Sequence, residues 1–182
     1  MVNGLALPRP LSYTFPMSSP SHWVFAYGSN MDPVQMMERC PSACFVTIAE
    51  LADHRLAFSR TSRKRRCGVA DVLAAADCQV WGVVYSIALE NDLAALDAFE
   101  GYRPGRRTGN SYTLHQTAVH PGGDPLISLP VFLYHAEKEA NPPKPSTDYL
   151  GHLLRGAEHW GLPRHYRQSL AAIPTLAPGE TK

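Results

Sequence analysis

The chain has 182 residues, room for one domain with tails, and its 45% hydrophobic share can fill a core. Its 17 lysines and arginines nearly balance 16 aspartates and glutamates. That balance leaves no electrostatic footprint for a nucleic acid or a membrane surface, and no apolar run is long enough to span a bilayer.

Residues 1–20 are interrupted by Pro8, Pro10, Pro16 and Pro20 and lack a basic region followed by a continuous apolar stretch. They read as a flexible leader rather than a secretory signal. A single domain is expected over 21–173, followed by a loose tail over 174–182. The aromatic and β-branched residues of 21–27 predict a strand that stops at Gly28-Ser29-Asn30. Asp32 is a good N-cap, Pro33 suits the first helical position and Gln35 stands where a capping box places its partner. A short helix should therefore run from Pro33 and stop before Pro41.

Strands are expected over 44–51, 54–59, 68–73 and 79–87, with a basic turn at 60–66 holding Arg60, Arg63, Lys64, Arg65 and Arg66. A helix over 91–99 follows, terminated by Gly101. After a loop at 105–110 come a strand over 111–120, a Pro-Gly turn at 121–125 and a strand over 128–135. A proline-rich stop at 141–145 precedes a helix capped by Ser146, with Tyr149, Leu150, Leu153, Leu154 and Ala157 on its apolar stripe. Gly161 ends it, and a last helix covers 164–172. Strands outnumber helices without strict alternation. The expected class is α+β, with a mixed sheet curled into a small barrel flanked by a few helices.

Cys40, Cys44, Cys67 and Cys78 form no Cys-x-x-Cys pair. Reduced thiols and a cytoplasmic location are the simplest account. The histidines form no His-Glu-x-x-His pattern, and His152 and His159 lie two helical turns apart, so no metal site is expected. The basic turn lacks interleaved aromatics and reads as a solvated loop, not a nucleic-acid grip. There is no Gly-x-Ser-x-Gly elbow for a serine hydrolase.

Two places could carry chemistry. At Tyr27-Gly28-Ser29-Asn30 a strand runs through a tight loop into a helix start, an arrangement that aims backbone amides at an anion or a developing oxyanion. The same residues also suit a plain turn. At about 100° per residue, Leu89, Leu93, Leu96 and Glu100 fall within roughly 60° of one another. Glu100 thus continues an apolar stripe, unless the last helical turn frays and releases it to water. Facing inward, its pKa would rise through desolvation and the negative end of its own helix, which suits a base that can return its proton. Asp97 lies off that stripe and reads as helix surface or as a structural hydrogen-bonder.

Taken together, Phe25-Ala26-Tyr27-Gly28-Ser29-Asn30-Met31, Trp81-Gly82-Val83-Val84-Tyr85 and Leu96-Asp97-Ala98-Phe99-Glu100-Gly101-Tyr102 resemble the γ-glutamylcyclotransferase family. Their counterparts there are the YGSNL loop, the WGVVY-type strand and the LDxxEGY segment. The run from Pro143 through Tyr149, Gly156-Ala157, Gly161-Leu162-Pro163 and Tyr166 extends the likeness over about 23–173. Met31 replaces the family's usual leucine, and the 103–110 stretch is longer than is typical. Glutathione-specific relatives have a YGSL-type loop, so Asn30 favours the branch acting on γ-glutamyl amino acids.

The resemblance implies that Glu100 is the acid–base catalyst and that Tyr27, Gly28, Ser29, Asn30, Met31 and Tyr112 contact substrate. A second family tyrosine falls at Tyr134 or, one residue earlier, at Leu133, and that slip exchanges the two faces of the strand. The implied reaction is cyclisation of a γ-glutamyl amino acid to 5-oxoproline with release of a free amino acid. It needs no cofactor, and its partner is a small-molecule γ-glutamyl substrate. Some members imply a homodimer. A γ-glutamylamine cyclotransferase on the same fold and a non-catalytic small-ligand binding module are the alternatives.

Overall fold

A computed structural model of the chain describes residues 22–87 and 91–177. The leader at 1–20, Leu89 of the proposed stripe and the end of the tail at 178–182 lie outside these residues. Five strands close into a barrel in the order β1-β3-β2-β4-β5. They are β1 (His22–Ala26), β2 (Cys44–Ser62), β3 (Cys67–Ile87), β4 (Tyr112–Pro121) and β5 (Leu129–Ala136). All neighbours pair antiparallel except β1 and β5, which meet in parallel at Val24 and Phe132. That parallel contact makes the sheet mixed and seals the barrel, removing open strand edges.

The separate strands expected over 44–51 and 54–59 are one strand. So are those over 68–73 and 79–87. Pairing between β2 and β3 runs from Cys44–Ser86 to Ser62–Cys67 and shifts register between Ala52 and His54. Asp53 and Asp77 take left-handed φ angles of 54° and 59° there. Short polar side chains tolerate that conformation, so a bulge bends the hairpin without ending it. The turn is accordingly shorter than expected and occupies only 63–66.

From Val80 to Tyr85 β3 is buried at every position. The barrel interior covers one face; Trp160, T-shaped against Tyr85 at 6.0 Å, helps cover the other. Such two-sided burial explains a continuous apolar run where alternation would otherwise appear.

Four helices surround the barrel among the described residues: α1 (Pro33–Arg39), α2 (Asn91–Glu100), α3 (Thr147–His159) and α4 (Arg164–Ala171). A single 3₁₀ turn at Ser29–Met31 precedes α1. Asp32 caps α1 by accepting the Val34 N–H at 3.1 Å. Ser146 caps α3 by accepting the Tyr149 N–H at 3.1 Å. The α3 stripe buries Tyr149, Leu150, Leu153 and Ala157, while Leu154 is only partly covered. Each fully buried leucine contributes about 1.5–3 kcal/mol relative to exposure. Residues 174–177, expected to be loose, stay on the body: Leu176 donates its N–H to the Pro145 carbonyl at 2.9 Å and packs against the core. The four cysteines are free thiols, Cys40 and Cys67 buried and Cys44 and Cys78 exposed.

Candidate active site

The strand–loop–helix unit and the end of α2 meet at a cleft of about 590 Å³. Residues Tyr27 to Asn30 and Glu100 line it together. The last turn of α2 does not fray. Gly101, at φ +64°, donates its N–H to the Ala98 carbonyl at 3.2 Å, and Tyr102 donates to Asp97 at 2.8 Å. These paired bonds form a Schellman motif, which needs a left-handed residue at the position Gly101 fills. Glu100 is thereby fixed at the helix end with its side chain 14% exposed.

Two side chains hold that carboxylate, and a third steadies one of them. Asn30 donates Nδ2–H to Glu100 Oε1 at 3.0 Å. Arg39, in the last turn of α1, approaches the same oxygen at 3.4 Å and donates to Asn30 Oδ1 at 2.7 Å. Gln35 Nε2 also donates to Asn30 Oδ1, at 3.3 Å. Burial pushes the Glu100 pKa up, while Arg39, the Asn30 bond and Arg65 pull it back, and burial prevails. A raised carboxylate pKa is the direction an acid–base group needs.

The loop facing it is clamped from behind. The Met31 and Asp32 amides donate within the turn to the Gly28 and Ser29 carbonyls, at 3.0 and 3.2 Å. Among the described residues this leaves the Gly28, Ser29 and Asn30 amides without a protein acceptor. Met31 is fully buried; its carbonyl accepts from Trp160 Nε1 at 2.9 Å, and its backbone presses on Gly156 of α3. Asp32 accepts from Arg155 Nη2 at 2.8 Å and lies 2.7 Å from His152 Nδ1. Burial alone would raise the Asp32 pKa, but the bonds from His152, Arg155 and Val34 outweigh it and hold it low.

Tyrosines complete the walls. The Tyr149 hydroxyl accepts the Ala70 N–H at 2.9 Å, and burial pushes its pKa up to about 12. Tyr112 donates its hydroxyl to the Ala70 carbonyl at 2.9 Å. The Tyr27 hydroxyl donates to the Tyr134 carbonyl. Tyr134 in turn donates to Asp97 Oδ1 at 2.7 Å.

The profile of the AIG2-like family matches residues 79–170. The human γ-glutamylcyclotransferase (Homo sapiens) is 33% identical over 153 residues, 82% of this chain and 77% of its own length. The mouse γ-glutamylcyclotransferase (Mus musculus) is 31% identical over the same shares. The chain belongs to the γ-glutamylcyclotransferase family. A solved structure of a γ-glutamyl cyclotransferase superposes with a TM-score of 0.75 at 30% identity, covering 88% of this chain and 92% of that one.

Within this γ-glutamylcyclotransferase frame, the cleft brings together Glu100, Tyr27, Gly28, Ser29, Asn30, Tyr112 and Tyr134. Met31 is not among its lining; it anchors the loop from the core side. Tyr134 takes the wall position and Leu133 the core. Asp97 is buried at 8% exposure as the acceptor for Tyr134, so it is a structural hydrogen-bonder and not helix surface. Gln35 turns its side chain to Asn30 and Arg65 instead of closing a capping box. The basic turn is only partly a solvated loop, because Arg65 lines the cleft and stacks on Tyr149, its Cζ 5.1 Å from the ring centroid.

Arg39, Gln35, Arg65 and Tyr149 were not legible as site residues. The faint signal for Arg39 is a cation in the last turn of a short helix beginning just after the signature loop. Among the described residues no helix is long and apolar enough to cross a membrane.

Proposed function

We propose that the protein is a γ-glutamylcyclotransferase acting on γ-glutamyl amino acids, with Glu100 as general base and then general acid. The observation carrying this reading is the bond from Asn30 on the signature loop to a buried, pKa-raised Glu100 in the cleft. Family membership supports the activity; the geometry supports the assignment of roles.

Chemically, the substrate's own α-nitrogen attacks its γ-carbonyl carbon. An ammonium cannot attack, so the Glu100 carboxylate first takes a proton from it. The freed amine closes a five-membered ring, and the carbonyl oxygen gains negative charge in the tetrahedral intermediate. As the carbon–nitrogen bond to the leaving group breaks, Glu100 gives this proton to the departing nitrogen, then takes a second from the ring nitrogen and passes it to the released amine. The two protons shed by the α-nitrogen are the two gained by the leaving amine, so one ammonium enters and one ammonium leaves.

Nucleophile and electrophile are already joined, so the cleft's main task is to fold the substrate into a near-attack shape. Such organisation lowers a barrier by up to about 7–11 kcal/mol in favourable cases. The Gly28, Ser29 and Asn30 amides are suited to the substrate's anionic oxygens, and loss of one good oxyanion donor costs about 3 kcal/mol. Tyr112 and Tyr134, their hydroxyls engaged by protein groups, offer rigid ring surface to the substrate's methylenes. The four free thiols support a reducing, cytoplasmic setting.

The test is 5-oxoproline release from L-γ-glutamyl-L-alanine by wild type and by folded Glu100→Gln. Release by wild type that is lost in the variant is expected. Undiminished release by Glu100→Gln would remove Glu100 from the chemistry. Release from γ-glutamylamines alone would move the assignment to that sister activity. No release from either class or from glutathione would leave a binding module.

A further inference from the structure

Among the described residues Arg65 is a guanidinium at the cleft with no carboxylate in ion-pair contact, although its charge, after that of Arg39 and the Asn30 bond, helps hold the Glu100 pKa down. Of the other cations there, Arg39 stands 3.4 Å from Glu100. Arg60 donates Nη1–H to the Glu137 carbonyl at 2.9 Å. Bonds from Thr61, and then the charges of Arg60 and Arg63, hold the Glu139 pKa below its ordinary value. Among the described residues, Arg65 has no acidic partner within ion-pair distance.

Its guanidinium is nonetheless oriented. Nη2 donates to Gln35 Oε1, the Tyr149 ring lies beneath, and the Arg65 backbone N–H donates to Ser62 Oγ at 3.2 Å. Gln35 continues to Asn30 at 3.3 Å, and Asn30 to Glu100 at 3.0 Å. One chain of amides therefore sets both the base and the guanidinium. A guanidinium presents five N–H donors in a rigid fork matched to a carboxylate. Here one Nη2 N–H is occupied, Nε and Nη1 have no acceptor among the described residues, and the second Nη2 N–H completes a fork with one of them.

We infer that Arg65 is a specificity-determining residue that receives the carboxylate of the leaving amino acid. The inference rests on the cyclotransferase reading and deepens it. The γ-glutamyl half must place its nitrogen at Glu100 and its oxygens at the Gly28–Asn30 amides. The leaving group then extends towards the turn at 63–66, where Arg63, Lys64 and Arg66 are exposed and Arg65 is half-buried. A leaving amino acid bears a carboxylate one carbon from the scissile nitrogen, whereas a leaving alkylamine bears none. A fork that is pre-oriented and only partly occupied favours the first over the second, because a charge-assisted bidentate contact is available only to it.

The experiment compares L-γ-glutamyl-L-alanine with γ-glutamylethylamine. The kcat/KM of each is measured for wild type, Arg65→Gln and Arg65→Lys. The Kd of each is measured by calorimetry on Glu100→Gln with and without Arg65→Gln. The preference for the alanine substrate should fall about 10–100-fold in Arg65→Gln, with part of it restored in Arg65→Lys. The Kd ratio should move the same way. Equal losses on both substrates would overturn the inference, since they would place Arg65 at the γ-glutamyl half or in structural support. An unchanged preference would overturn it too. If wild type turns over neither compound, the cyclotransferase reading fails, and the Kd ratio still decides whether Arg65 recognises the carboxylate.

Discussion

Replacing Gly156 with alanine tests whether the signature loop is held by close backbone contact. Two effects oppose each other. Alanine is the better helix former by about 0.8–1.0 kcal/mol. Its Cβ, however, would lie 2.4 Å from the Met31 carbonyl carbon and 2.5 Å from both Met31 Cβ and the Met31 carbonyl oxygen. Ordinary contact begins at 3.4 Å, so α3 and the 3₁₀ turn must separate by roughly 1 Å. Backbone cannot rotate away as a side chain can, and Met31 is tied down by Trp160 on one side and the Asp32–Arg155 pair on the other.

Overpacking of this kind costs about 1–3 kcal/mol. Set against the helix gain, the clash leaves a net loss of up to about 2 kcal/mol, or up to about 8 °C in Tm. The same shift stretches the 3.0 Å bond between Asn30 and Glu100. A displacement of about 1 Å can reduce catalysis about 100-fold, so kcat for 5-oxoproline release should fall at least about tenfold. Thermal melting and the release assay read the two effects separately. A Gly156→Ala protein that melts higher than wild type and keeps full activity would show that helix propensity dominates and that the loop is not held as argued.

Two further perturbations address the charges. Arg39→Met removes the strongest influence holding the Glu100 pKa down, so that pKa rises further. A base with a raised pKa is ionised only at higher pH, and the acidic limb of the kcat/KM profile should move upward in pH; an unmoved limb would exclude Glu100 as the titrating base. Asp32→Asn keeps a good N-cap but loses the charge facing His152 and Arg155. Because Arg155 is more than half exposed, solvent screening holds the expected loss to about 1 kcal/mol. The Asp32 pKa is lowered by folding, so its contribution is present above the unfolded carboxylate pKa and is lost as pH falls through the folded value. Urea melts should show a gap between variant and wild type at neutral pH that closes in acid, and a gap of constant size would refute the assignment.

Local chemistry was legible wherever one stretch of chain settles the matter. Asp32 before Pro33, Ser146 before its helix, and Gly101 and Gly161 at helix ends each act within a few residues, through an orphan amide or a left-handed φ. The bend at Asp53 and Asp77 was not legible as a continuation. A polar residue that tolerates positive φ suits a bulge and a strand end alike, and pairing along β3 chooses between them. Asp97 read ambiguously because its partner, Tyr134, lies on a strand 37 residues away.

By itself the sequence determined the motif order, the α+β class and the candidacy of Glu100, because caps, turns and apolar periodicity act over one or two helical turns. Only the tertiary structure decided that Glu100 faces Asn30 and Arg39, that Tyr134 rather than Leu133 forms the wall, and that Arg60, Arg63 and Arg65 of the basic run border the cleft. Barrel closure fixes which face each strand presents. A side chain's charge can be read along one dimension, but its partners and its solvent exposure exist only once elements distant in sequence are packed together.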